Sequence, residues 1–235
     1  MSTHDGISRR RALGMAVAAG GWAMFGSVSA ALAQASRRTP DQILGPFYPV
    51  VKPLHQGADL TTIPGRPGRA AGQVIHLMGR VVNPQGQPVQ GARMEIWQAN
   101  THGRYTHPSD HNPAPLDPNF EGFAVLTTDA EGRYRIKTVK PGAYPAGPDG
   151  RMRPPHIHFD VTGKSNRLVT QMYFAGEPLN DKDPFLQGTG EGKERLIVPL
   201  KPPTQGLEPD GGRYRLAAKA EGRRGRETRS ATGSG

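Results

Sequence analysis

The chain has 235 residues, among them 31 glycines, 23 prolines and no cysteine. Prolines and glycines at that density leave little room for long helices and favour short strands joined by turns. The missing cysteine excludes disulfides, thiolate metal sites, iron–sulfur clusters and a cysteine nucleophile. The formal net charge is +10, but half of the excess sits at the two ends. No basic face interleaved with aromatics is legible, so no nucleic-acid partner is expected.

Arg9, Arg10 and Arg11 precede an uncharged run over residues 14–32, which closes on Ala31-Leu32-Ala33. A charged start, a weakly apolar middle and a small-x-small ending are the parts of an export signal. The paired arginines and glycine-diluted middle resemble the twin-arginine type. Cleavage is expected near Ala33, with Ala35 as the second site, which places the mature protein in the periplasm. The four glycines of the run and its Ala-x-Ala ending argue against a stable membrane anchor. The expected organisation is a signal over 1–33, an irregular N-terminal arm over 34–70, a β domain over 71–216 and a disordered basic tail over 217–235. Within the arm, Gly45-Pro46-Phe47-Tyr48-Pro49 is an apolar island that reads as packed on the domain.

Strand signals begin at Val74 and run through His76–Val82 into the Asn83-Pro84-Gln85-Gly86 turn. Ala92–Gln98 follows, with Met94, Ile96 and Gln98 on one face and Arg93, Glu95 and Trp97 on the other. Phe120–Thr128, Tyr134–Lys137, His156–Val161, Leu168–Phe174, Leu196–Leu200 and Tyr214–Leu216 complete the set. Many short strands at close spacing with turns between them predict an all-β chain folded as an antiparallel β-sandwich.

The densest chemical signal is Arg153-Pro154-Pro155-His156-Ile157-His158-Phe159. In a strand, residues two apart share a face, so His156 and His158 can offer two imidazoles to one metal while Ile157 and Phe159 enter the core. Asp160 makes a His-x-Asp triplet like that of Fe(II) facial-triad oxygenases, but no histidine follows it to complete such a site. A zinc or copper enzyme using His156, His158 and an upstream histidine such as His107 or His111 stays open. Tyrosines are the other available donors. Tyr105 follows the Glu95–Asn100 segment, and Tyr144 precedes the histidine pair in Pro141-Gly142-Ala143-Tyr144-Pro145.

Taken in order, these motifs resemble the intradiol ring-cleavage dioxygenases, most closely the iron-binding (beta) subunit of the protocatechuate 3,4-dioxygenases. The matching residues are Glu95-Ile96-Trp97-Gln98-Ala99, Gly103-Arg104-Tyr105, Leu116-Asp117-Pro118-Asn119-Phe120, Thr128-Asp129 with Gly132 and Tyr134, Pro141-Gly142 with Tyr144-Pro145, Arg153-Pro154 with His156-Ile157-His158-Phe159, and Thr170-Gln171 with Tyr173-Phe174. Gly45-Pro46-Phe47-Tyr48 fits the family's N-terminal region. The resemblance covers roughly residues 40–200.

The resemblance implies a prealbumin-like sandwich and a non-haem Fe(III) held by Tyr105, Tyr144, His156 and His158. It implies cleavage of a catechol-type ring by O2 to a cis,cis-muconate-type diacid. Tyr144 is then the ligand released when substrate binds and a proton acceptor for it, Arg153 stabilises anionic character beside the substrate ring, and Gln171 lies behind the ligands. Tyr48, Tyr134, Tyr173 and Tyr214 read as rim or core residues with satisfied hydroxyls. Ala146 stands where protocatechuate-cleaving relatives usually carry a bulky aromatic, which implies a wider or differently shaped pocket. Such enzymes also imply a homo-oligomer or a related subunit. A prealbumin-like module that only binds or scaffolds is the reading from another functional class.

Overall fold

The computed structural model describes residues 38–52, 57–146 and 149–201, together with the backbone of 214–217. The expected signal segment and the tail beyond residue 217 lie outside the described residues. The strands among the described residues all lie in the compact unit Thr39–Gly235.

Among the described residues, ten strands carry nearly all of the regular structure: β1 (Val74–Val82), β2 (Arg93–Trp97), β3 (Phe123–Thr127), β4 (Arg133–Val139), β5 (Tyr144–Ala146), β6 (Arg151–Arg153), β7 (His156–Thr162), β8 (Arg167–Phe174), β9 (Ile197–Val198) and β10 (Tyr214–Ala217). One sheet has the order β10-β1-β4 and the other β3-β2-β7-β8-β9, while β5 and β6 pair as a separate hairpin. The pairings are antiparallel except β1 with β10 and β8 with β9. This is the expected β-sandwich.

The core follows from strand alternation. Ile75, Leu77 and Ile136 from the first sheet meet Met94, Ile96, Ile157, Phe159 and Met172 from the second. Ile157 and Phe159 are fully buried, and each such side chain stabilises the fold by about 1.5–3 kcal/mol relative to exposure. Gln98 lies just past β2, and its amide is satisfied in the interior. It donates to Val139 O at 2.9 Å and accepts from Thr138 Oγ1 at 2.8 Å, which ties the two sheets together.

Three differences from the sequence expectation have local causes. β3 starts at Phe123 rather than Phe120, because Asp117 turns the chain by accepting from Asn119 N at 2.9 Å. The run at Leu196–Leu200 keeps only two strand residues, since a 3₁₀ turn occupies Lys193–Leu196 and Pro199 lacks a donor. The β5–β6 hairpin was not expected, because Pro145 interrupts any alternation there.

The second face of the larger sheet is covered too. Thr39–Lys52, which has neither helix nor strand, crosses this sheet. Gln42 N donates to Val169 O at 2.8 Å, and Gln171 Nε2 donates to Ile43 O at 2.8 Å. At its far end Tyr48, Lys52 and Arg93 converge on Glu95, a carboxylate only 2% exposed. Burial alone would raise the Glu95 pKa; the hydrogen bonds from Lys52, Tyr48 and Arg93 outweigh it, and the net shift is downward from 4.5. The unfolded chain then binds this proton at higher pH than the folded one, so the stabilisation is complete above 4.5 and is lost as pH falls through the lower folded value. Melting temperature measured from pH 6 to pH 3 is expected to drop below 4.5. Glu95→Gln should be less stable at pH 6 and lose part of that slope; an unchanged slope would count against this assignment.

Candidate metal centre

β7 sets out the first two donors. His156 and His158 lie opposite Tyr173 and Gln171 of β8, and His158 also lies opposite Trp97 of β2. The Trp97 ring stacks on His158 at 4.7 Å with 10° between planes. His156 Nδ1 donates to Pro154 O at 2.7 Å, which leaves its Nε2 lone pair directed inward, the tautomer a metal-binding histidine uses. His158 Nε2 lies 3.2 Å from it. Burial, and then the charge of Arg153, hold both imidazoles well below the usual 6.5, so both are neutral.

The tyrosines come from two loops locked to each other. Asn100 Oδ1 accepts from His102 N at 2.9 Å and Arg104 N at 3.0 Å, and Asp110 Oδ2 accepts from Tyr105 N at 2.7 Å. Gly142 N donates to Asn100 O at 2.9 Å. A Cβ at Gly103, whose φ is +78°, would lie 2.1 Å from Ala143 O, and one at Gly142 would lie 2.5 Å from Thr101 O. Only glycine lets these backbones touch. The loop contact brings the Tyr105 and Tyr144 rings to 5.2 Å, edge to face. Tyr144 occupies the first position of β5, opposite Arg153 of β6, rather than a free turn.

The four rings close a circuit. Centroids lie 4.8 Å apart for His156 and His158, 5.4 Å for Tyr144 and His156, 5.2 Å for the two tyrosines and 6.3 Å for Tyr105 and His158. Tyr144 Oη is 3.5 Å from His156 Nε2. Tyr105 Oη and His158 Nδ1 are buried without a hydrogen-bond partner, a cost of about 1–3 kcal/mol each for a protein that does nothing with them. Burial raises both phenol pKa values, and for Tyr105 proximity to Tyr144 adds to it. Two neutral imidazoles, two phenols and an orphaned phenol oxygen in one buried space fit a cation that would turn the phenols into anionic ligands.

The other sequence candidates fall elsewhere. Asp160 is engaged by Arg167 at 2.7 and 3.0 Å. His107 Nδ1 accepts from Ser109 N. Among the described residues, no three His, Cys, Asp or Glu side chains gather where they could hold a metal, so the described residues offer no upstream histidine to the His156–His158 pair.

Arg153 is buried, not on the surface. Nη1 lies 3.1 Å from His156 Nε2, while Nη2 donates to Gln171 Oε1 and Tyr173 Oη, each at 2.9 Å. Gln171 therefore cradles Arg153, and Tyr173 has the satisfied hydroxyl expected of it, but satisfied by the centre's arginine. Asp183 completes the cradle and was not singled out from the sequence. Asp183-Pro184 is a legible helix start, but nothing in it points to Arg153, 30 residues earlier.

The arm roofs the centre. Gly45, at φ +78°, packs so closely on His158 that a Cβ would lie 3.1 Å from Cε1. Phe47 lies 4.8 Å from the Tyr105 ring and 5.8 Å from Tyr144.

A family model described as "Dioxygenase" matches residues 43–214. The protocatechuate 3,4-dioxygenase beta chain of Burkholderia cepacia is 51% identical over 143 residues, 59% of this chain and 61% of that one. Catechol 1,2-dioxygenase 1 of Acinetobacter lwoffii is 35% identical, covering 69% of this chain and 53% of its own. The chain thus spans little more than half the length of these relatives. The solved structure of catechol 1,2-dioxygenase from Acinetobacter sp. ADP1 superposes with a TM-score of 0.58 at 26% identity, over 77% of this chain and 63% of that one. The motif order, the sandwich and these likenesses agree, and the chain belongs to the intradiol ring-cleavage dioxygenase family.

Proposed function

We propose that this protein is a non-haem Fe(III)-dependent intradiol dioxygenase. It opens a catechol-type ring between the two hydroxylated carbons, and both atoms of O2 end in the cis,cis-muconate-type diacid. The observation that carries this is the convergence of Tyr105, Tyr144, His156 and His158 in one buried space. Fe(III) is a hard cation that favours anionic oxygen donors, and two phenols supply them without sulfur. Bound ferric iron would supply the activation that lets a catechol react with O2.

The chain's own residues do the rest. Once ionised as a ligand, Tyr144 Oη would accept the proton of an incoming catechol hydroxyl as a general base. The fixed charge of Arg153, carried to His156 on Nη1, stabilises anionic character in the ring. Gln171 and Tyr173 hold that guanidinium. Gly45 and Phe47 exclude water above the ligands. Relatives named for catechol and protocatechuate support the substrate class, and Ala146 after Tyr144-Pro145 favours a wide pocket. The signal-like sequence pattern over residues 1–33 supports action in the periplasm, and likeness to a chain named beta supports assembly with a second copy or a related subunit.

The test is metal analysis with a visible spectrum and an oxygen-uptake assay on catechols. About one iron per chain, a tyrosinate-to-iron charge-transfer band and a ring-opened diacid are expected. A colourless zinc protein, or a metal-free one that binds catechols unchanged, would overturn the proposal.

A further inference from the structure

The guanidinium of Arg153 is gripped along one edge and turns the other to the centre. Asp183 Oδ2 accepts from Nε at 3.0 Å and lies 3.0 Å from Nη2 as its ion-pair partner, while Nη2 donates to Gln171 and Tyr173. The Phe185 ring lies 4.6 Å from Cζ. Only Nη1 is directed to the centre, where it meets His156 Nε2 at 3.1 Å. A guanidinium is planar with its N–H groups in a rigid fork, so fixing one edge aims the other.

Asp183 is itself fully buried and does two things at once. Its Oδ1 accepts from Phe185 N at 2.8 Å and Leu186 N at 3.1 Å, capping the short helix α1 (Pro184–Gln187). With one oxygen on the helix and the other on Arg153, the carboxylate cannot turn without losing one of them. It also supplies the opposite charge that a buried arginine requires. Burial acts against the Arg153 charge, and Tyr144, Tyr173 and Asp183 outweigh it, so the guanidinium stays protonated.

We propose that Asp183 is a positioning residue for the reaction, holding the Nε and Nη2 edge of Arg153 so that Nη1 faces His156 and the substrate. This rests on the dioxygenase reading above.

The test is a double-mutant cycle in the iron-loaded enzyme, with Asp183→Asn, Arg153→Met and both together, and with Asp183→Glu as the conservative variant. Asparagine caps helices as well as aspartate, so α1 persists in Asp183→Asn while the charge opposite Arg153 is gone. A loss of about 10–100-fold in kcat with KM little changed is expected, the size seen for groups that orient catalytic-site residues. Asp183→Glu should recover most of it. The double variant should be no slower than Arg153→Met alone, because Asp183 acts through Arg153. Melting supplies a readout that does not need turnover. Each single variant should melt lower by about 10 °C, and the double variant by less than the two together, since it leaves no unpaired buried charge. Multiplying kcat losses, or a wild-type kcat in Asp183→Asn, would overturn the positioning role while leaving the dioxygenase reading intact. A wild type that opens no catechol while the melting cycle still couples would overturn the dioxygenase reading and reduce the pair to a structural contact.

Discussion

His158→Ala is expected to abolish iron binding and ring opening together, with His156→Ala close behind. The two imidazoles are the donors most firmly built into the sheet, because β7 is hydrogen-bonded on both sides. His158 is also clamped between the Trp97 ring at 4.7 Å and the backbone of Gly45. Removing it would delete one of the four proposed ligands and open a void between Trp97 and Gly45. Changes to groups that merely orient a ligand already weaken metal binding by about 10–100-fold, so loss of a ligand should exceed about 100-fold. His156→Ala has a second consequence. It takes away the imidazole that Nη1 of Arg153 faces at 3.1 Å. Iron per chain, measured after dialysis, checks both variants, and circular dichroism separates ligand loss from unfolding. Full iron retention in both would refute the assignment of the centre.

The alternation of β7 was readable because one of its faces is simple. Ile157 and Phe159 are apolar and go to the core, so His156 and His158 had to face the other way. What alternation could not convey is that this other face is also buried. Arg93, Glu95 and Trp97 look like a partly solvated face in sequence, yet Glu95 is nearly inaccessible because Tyr48 and Lys52 reach it from more than 40 residues away. A strand's pattern reports one neighbour layer, and here the second layer is the irregular arm. The tyrosines show a different limit. No periodicity connects Tyr105 to Tyr144; they meet because Gly103 and Gly142 allow two loops to touch. Only resemblance to a family could pair them from sequence. Asp183 escaped both routes, since its helix-capping role is local and sufficient to account for it, and its contact with Arg153 exists only in the fold.

Replacing the two tyrosines one at a time is expected to give opposite defects. Tyr105 is held by a rigid loop: its backbone N–H is bound by the buried Asp110, and the residues before it are bound by Asn100. Asn112 Nδ2 also donates to Gly103 O at 2.9 Å. Tyr144 is held more lightly. It begins a three-residue strand that pairs only with β6. A ligand on a short hairpin leaves the metal at lower cost than one in a loop fixed by buried carboxylate and amide side chains. On the proposed reading, Tyr144 would be the tyrosine that gives way when a catechol enters, and its oxygen would take the substrate's proton. Tyr144→Phe should keep much of its iron, since Tyr105 and both histidines remain, but turn over catechols slowly, by about 10²–10⁴-fold for the loss of a general base. Tyr105→Phe should lose the permanent anionic ligand, bind iron less tightly and show a shifted ferric potential. Visible spectra of the iron-loaded wild type and both variants, with and without catechol, distinguish the two. In the wild type, catechol should remove the charge-transfer contribution of Tyr144 and leave that of Tyr105. In Tyr144→Phe, catechol should therefore remove no tyrosinate contribution at all. If catechol instead abolishes the contribution that survives in Tyr144→Phe, Tyr105 is the departing ligand and the roles drawn from the two loops are reversed.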